Sequence, residues 1–202
     1  MIRARRATFS IEDPWEIAAG CETVTFVRAG DGSAPRLGTT VAVMWDDIAL
    51  TVLFSAVDDH VVATHRTHDA PLYEEDVVEV FLAPRSEREY FEIEVNPLGT
   101  IFDARIESPD GVRATMRTDL GWTCHELFAA LRRAGTKVDT VIRIPFASLE
   151  VETPKDGDEW QANFFRIDRG PMGDEFTAWR PAMKTPPDFH VVKAFGTLRF
   201  CF

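Results

Sequence analysis

Cysteine is scarce. Cys21, Cys124 and Cys201 are the only three in 202 residues, and they lie far apart. None of their spacings suits a zinc ligand set, and an odd number allows one disulfide at most. Buried free thiols are the expected state. Basic residues are also in deficit: Lys and Arg total 22 against 33 Asp and Glu, for a formal net charge of −11. That excess repels phosphate backbones and anionic membrane surfaces, so nucleic acid and membrane are excluded as expected partners. A neutral or cationic ligand fits better. Long apolar runs are missing too. The basic start Met1-Ile-Arg-Ala-Arg-Arg6 leads into no hydrophobic stretch, so the sequence as written shows neither a signal peptide nor a membrane-spanning segment. A cytoplasmic location is the expectation, with export by another route open. Glycine-rich phosphate cradles and a Gly-x-Ser-x-Gly elbow are absent, which leaves nucleophilic catalysis without support.

What is present points to sheet. Hydrophobic residues make up 45% of the chain, enough for a sizeable core, and Phe contributes 15 residues where Tyr contributes 2. Short Phe-rich alternating segments favour strands, and a chain of this length suits one all-β domain over residues 1–202. Strands are predicted over Thr40–Asp46, Ile48–Val57, Val77–Leu82, Tyr90–Asn96, Thr100–Glu107, Thr140–Ile144, Trp160–Asp168 and Thr197–Phe202. Tyr90–Asn96 alternates most cleanly: Phe91, Ile93 and Val95 point one way, Glu92, Glu94 and Asn96 the other. Asn96-Pro-Leu-Gly99 is a turn that makes a hairpin with the next strand. Thr123–Arg133 holds good helix formers, yet its setting before a Gly-containing turn favours a strand. Pro145-Phe-Ala-Ser-Leu149 reads as one helical turn, and residues 180–190 as a long loop.

Candidate chemistry follows from the polar faces. Glycoside hydrolysis needs two carboxyl groups about 5 to 9.5 Å apart, and Glu79, Glu92 and Glu94 offer such pairs, but so many acids would produce them by chance. His60, His65 and His68 cluster without a further zinc ligand. Asp58, Asp59, Asp69, Glu74, Glu75 and Asp76 crowd loop ends with hard oxygen donors, which makes a structural calcium site assembled from separate loops possible; no cofactor is required. A sugar offers apolar C–H faces ringed by hydroxyls, and these suit an aromatic platform beside polar side chains. Tyr73, Glu79, Glu94 and Asn96 supply that combination if their strands are neighbours. On spacing alone, a solvated sheet edge fits equally well.

The runs Pro71-Leu-Tyr-Glu-Glu-Asp-Val-Val-Glu-Val-Phe81, Tyr90-Phe-Glu-Ile-Glu-Val-Asn-Pro97, Trp160-Gln-Ala-Asn-Phe-Phe-Arg166 and Phe195-Gly-Thr-Leu198 resemble the family 9 carbohydrate-binding modules. Trp45-Asp-Asp through Val57-Asp58 is similar to that family's early strand pair. The resemblance runs from about residue 40 to the C-terminus and extends to the DOMON-like β-sandwich group. It implies an antiparallel β-sandwich, of jelly-roll or DOMON-like type, that binds a mono- or oligosaccharide without catalysis, in a setting such as polysaccharide catabolism. It implies that Tyr73 is one ring of an aromatic clamp. Glu79 and Asn96 match hydrogen-bonding positions, as do Asp58 and Gln161. The second ring would come from the loop before Phe195, where Trp179, Phe189 and His190 stand. Glu94 departs from the pattern, because sugar-binding members carry arginine there. Two alternatives remain: a glycoside-processing enzyme or subunit using the same carboxylates, and an interaction module whose sugar site has decayed.

Overall fold

The alternating segments become strands in the computed structural model, which describes residues 1–15 and 20–202. Among these residues the strands are β1 (Ile2–Arg6), β2 (Thr23–Thr25), β3 (Val27–Arg28), β4 (Thr39–Trp45), β5 (Ala49–Val57), β6 (Val77–Ser86) and β7 (Glu89–Val95). They continue with β8 (Ile101–Glu107), β9 (Arg117–Asp119), β10 (Phe128–Ala134), β11 (Lys137–Pro145), β12 (Glu159–Asp168), β13 (Glu175–Ala178) and β14 (Gly196–Cys201). The main ladder runs β10-β11-β5-β4-β1-β14-β12-β6-β7-β8-β9, with β2, β3 and β13 attached at its sides. Most pairings are antiparallel, as expected. The exceptions are β1 with β14 and β1 with β4, which are parallel.

The ladder curls so that its two halves meet face to face. Val41, Val43, Val52, Phe54 and Ile142 from one half share a core with Val80, Leu82, Phe91, Ile93 and Phe164 from the other. Phe54 and Phe164 touch edge to face across this seam, with ring centres 6.2 Å apart. This is the β-sandwich the sequence predicts, with its hydrophobic positions on the inner faces.

Two readings change. Pro145–Leu149 is a run of hydrogen-bonded turns, with Ser148 N donating to Pro145 O and Leu149 N to Phe146 O, and is not a helix. The described single-turn 3-10 helices lie at Leu72–Glu74, Arg113–Thr115 and Val192–Ala194. The segment 123–133 is extended only from Phe128 onward. The cysteines form no disulfide; Cys124 is buried, and burial raises its thiol to about 12. Among the described residues no helix is long and apolar enough to cross a membrane.

The strand with most influence on the ladder is β1. Its Ile2 and Ala4 are buried in the core, while Arg3 and Arg5 face solvent. It pairs with β14 over Ile2–Arg5 and with β4 over Arg5–Arg6, and so joins the two halves of the sheet. Ile2→Ala removes a fully buried side chain at this junction and is expected to cost about 2–5 kcal/mol. Urea unfolding monitored by circular dichroism checks this; a loss near zero would show that the junction does not depend on β1.

Candidate functional site

The pleat decides which side chains of β6 and β7 meet. The two strands pair so that Glu79 stands directly opposite Glu94 and Phe81 opposite Glu92. Their odd and even positions split cleanly: Val78, Val80, Phe91, Ile93 and Val95 enter the main core. Glu79, Phe81, Tyr90, Glu92 and Glu94 take the other face. That face is not a solvated surface. The segment after β13 crosses it and places Phe189, Val192 and Phe195 against Phe81, Tyr90 and Phe165, which makes a second apolar cluster. Phe189 stacks on Phe165 with ring centres 4.2 Å apart. The glutamates are therefore interior, with Glu79 only 2% and Glu94 only 1% exposed.

The cover is incomplete, and a cleft of about 980 Å³ remains above the carboxylates. Tyr73 forms part of its rim, on the 3-10 turn Leu72–Glu74, whose Leu72 is buried in the second cluster. The Tyr73 ring is 49% exposed and meets Phe102 edge-on at 6.5 Å. Phe102, Phe176 and Phe189 supply further apolar wall. Arg169 ties the rim together: it donates to the Tyr73 carbonyl at 2.8 Å, pairs with Asp174, and lies 4.9 Å over the Phe176 ring. His190 lines the cleft as well; its Nδ1 is 2.6 Å from the Tyr90 hydroxyl and its Nε2 is 3.9 Å from Glu92.

Electrostatically the floor is unusual. One carboxylate oxygen from each of Glu79, Glu92 and Glu94 lies within 4.8 Å of the other two. Glu92 and Glu94 share a hydrogen bond, while Glu79 Oε1 and Glu94 Oε2 are buried with no hydrogen-bond partner. Burial pushes the Glu92 carboxyl up to about 7. Burial, followed by the neighbouring negative charges, raises Glu79 and Glu94 well above the usual carboxylate range. All three cannot ionise together at so short a separation.

Not every expected site residue reaches this cleft. Tyr73, Glu79, Glu94, Phe189 and His190 line it. Asn96 does not: it ends β7, where its side chain holds the turn, accepting from Leu98 N and Thr100 N and donating to the His65 carbonyl. Trp179 also lies elsewhere. It packs in the main core against Phe164, and Gly196 leaves the space for it, since a Cβ there would stand 2.5 Å from the ring. Gln161 sits beyond the cleft, opposite Ala83 and Thr197. Asp58 belongs to a separate buried group with Asp76 and Asp168. The residues that spacing did not single out are Phe102, Phe176 and Arg113. Phe102 was legible in principle, since it alternates with Asp103 on a strand next to β7.

The acidic loop ends expected to offer calcium ligands are spread over several places. Asp59 pairs with Arg36, and Glu75 binds Thr64. Asp69 contacts His68, which also lies 3.6 Å from Asp103. Asp58, Asp76 and Asp168 do converge, but Arg166 already stands among them, 2.7 Å from Asp168 and 3.7 Å from Asp58. A resident guanidinium supplies the positive charge that a cation would bring there.

The raised carboxyls make stability depend on pH. A group whose folded pKa exceeds its unfolded value stabilises fully below the unfolded pKa, and that contribution is lost as pH rises through the folded pKa. For Glu92 the window runs from about 4.5 to about 7, and Glu79 and Glu94 shift in the same direction. A shift of Glu92's size is worth about 3 kcal/mol, or roughly 6–12 °C in Tm for a domain of this size. Glu92→Gln is therefore expected to melt near the wild-type temperature at pH 5 and several degrees above it at pH 8. Thermal scans across this range check it, and a pH-independent difference would refute the shared-proton picture.

The match of residues 31–200 to the family model described as carbohydrate-binding family 9 covers most of the chain. No curated protein matches it in sequence. Three solved structures share the fold. A candidate carbohydrate-binding protein from Bacteroides uniformis ATCC 8492 is 18% identical, with 98% of each chain covered and a TM-score of 0.74. A family 9 carbohydrate-binding module from Caldicellulosiruptor kristjanssonii in complex with cellotriose is 14% identical, with 99% of this chain and 93% of that one covered, at a TM-score of 0.67. The glucose complex of a family 9 module from the same organism is 15% identical, with 98% and 94% covered, also at 0.67. At such identities the structural likeness is one of fold, whereas the family match is made in the sequence itself. By that match the chain belongs to carbohydrate-binding family 9.

Proposed function

We propose that this protein is a non-catalytic carbohydrate-binding module, and that a mono- or oligosaccharide binds in the cleft above Glu79 and Glu94. The observation that carries this reading is the pairing of a carboxylate floor with aromatic walls in one open cleft of about 980 Å³. Sugar C–H faces stack on rings such as Tyr73, and sugar hydroxyls donate to the glutamate oxygens left without partners. Family membership supports the reading, as do relatives of this fold holding cellotriose and glucose. Tyr73 is the platform; Phe102, Phe176 and Phe189 complete the apolar walls, and His190 adds a polar edge.

The carboxylates do not suit glycoside cleavage. A hydrolase places its two acids on either side of the scissile bond. Here the three acids sit side by side on one floor, each within reach of the others. A panel of chromogenic glycosides is expected to show no turnover above background.

Tyr73 is the direct test, because its half-exposed ring adds little to the core. Tyr73→Ala is expected to weaken saccharide binding at least tenfold while changing stability by no more than about 0.5 kcal/mol. Calorimetry on ligands chosen from a glycan array checks both the reading and the platform. No binding by the wild-type protein at millimolar saccharide would overturn it.

A further inference from the structure

The cleft floor gathers three acids for which the protein supplies, among its described residues, no lysine or arginine partner. Glu79 Oε1 and Glu94 Oε2 are buried and unpartnered, and both side chains line the cleft. The nearby basic groups are directed elsewhere. Arg113 and Lys184 both pair with Asp188, and Arg169 pairs with Asp174. Among the described residues no lysine or arginine forms an ion pair with Glu79, Glu92 or Glu94; His190 comes to 3.9 Å of Glu92. The ladder fixes the backbone positions of all three acids on one face.

We propose that the ligand is an amino sugar whose protonated amine seats on Glu79, Glu92 and Glu94. This rests on the saccharide reading above and names the chemical class of the sugar. An ammonium group presents three N–H donors and no acceptor, which matches three carboxylates. Three oxygens each about 2.8 Å from one nitrogen, in tetrahedral directions, lie about 4.6 Å apart. One oxygen from each glutamate lies no more than 4.8 Å from the other two, so all three fall inside the span of a single ammonium group. A calcium ion suits the site less well, because it draws about six to eight oxygens at roughly 2.4 Å, and the floor brings together the side chains of only three acids. The walls favour an organic cation. Tyr73, the half-exposed ring of the rim, is placed to stack on the sugar C–H bonds, with Phe102 beside it. A neutral sugar would satisfy the lone pairs but would not favour ionisation of the acids, as an amine does.

Burial holds protons on these acids, and the positive charge of a seated amine lets one of them ionise, so binding releases a proton. The titratable and charged groups around the floor are His190, Tyr90, Arg113 and Asp188, and of these Arg113 lowers Glu92.

The test is isothermal titration of the protein in EDTA-treated buffer at neutral pH. The ligands are glucosamine, galactosamine and mannosamine, each beside its neutral and N-acetylated counterpart. At least one amino sugar is expected to bind tenfold or more tightly than both counterparts, with a heat that changes with the buffer's own ionisation enthalpy. Glu94→Gln and Glu79→Gln are expected to erase the preference while circular dichroism shows a folded protein. Should either fail to fold, Glu92→Gln reads the same preference. Equal affinity for the three forms of every sugar overturns the amino-sugar assignment and leaves the saccharide reading intact. Binding by none of them, together with a blank glycan array, overturns both. Calcium binding that is lost in Glu94→Gln, without an amino-sugar preference, overturns the proposal in favour of a metal.

Discussion

Three carboxyl groups confined to one small volume set the terms for the rest of the site. The pairing of β6 with β7 puts Glu79 directly across from Glu94, and Glu92 lies two residues along the same strand. Like charges opposite one another in a ladder destabilise it, and here they are also buried. Such an arrangement persists only where the surrounding packing is strong. That packing comes from both sides, with the Val, Ile and Phe positions of the same strands in the main core and the segment through Phe189 and Phe195 above.

The two buried acid groups show how differently the same problem is handled within one molecule. Around Asp58, Asp76 and Asp168 the protein supplies its own counter-charge through Arg166 and binds backbone amides to the remaining oxygens, as at Val62 and Arg169. That group is closed and structural. Glu79, Glu92 and Glu94 have no equivalent guanidinium among the described residues, and they lie on the floor of a cleft where Glu79 Oε1 and Glu94 Oε2 stay buried without partners. One cluster is compensated from within the protein, and the other is not.

Much of the sheet was legible because its signal is local. Phe91, Ile93 and Val95 alternate with Glu92, Glu94 and Asn96, and the strand follows that pattern residue for residue. The side on which each of these residues falls was therefore predictable, but the environment of that side was not. Polar alternation implies a wet face, and only the long segment after β13, whose path no local pattern encodes, turns it into an interior. The same gap explains Trp179. Its sequence position suits a clamp, yet the absent side chain at Gly196 draws the ring inward. Asn96 shows a third limit, since its amide belongs to the turn it caps. Short pieces such as β13 and β1 lack the length that makes alternation convincing, although Ile2 and Ala4 carried a trace of it.

That first strand also bears on how the molecule reaches its folded state. Ile2 pairs with Leu198, so one of the earliest residues lies beside one of the last. Its other partner, β4, is available long before β14 exists. Until β14 is in place, β1 paired with β4 keeps one open edge. Contacts this distant in sequence slow folding, because the loop they close is ordered before they form. The two halves of the ladder meet at β1, so its pairing with β14 closes a loop of nearly two hundred residues.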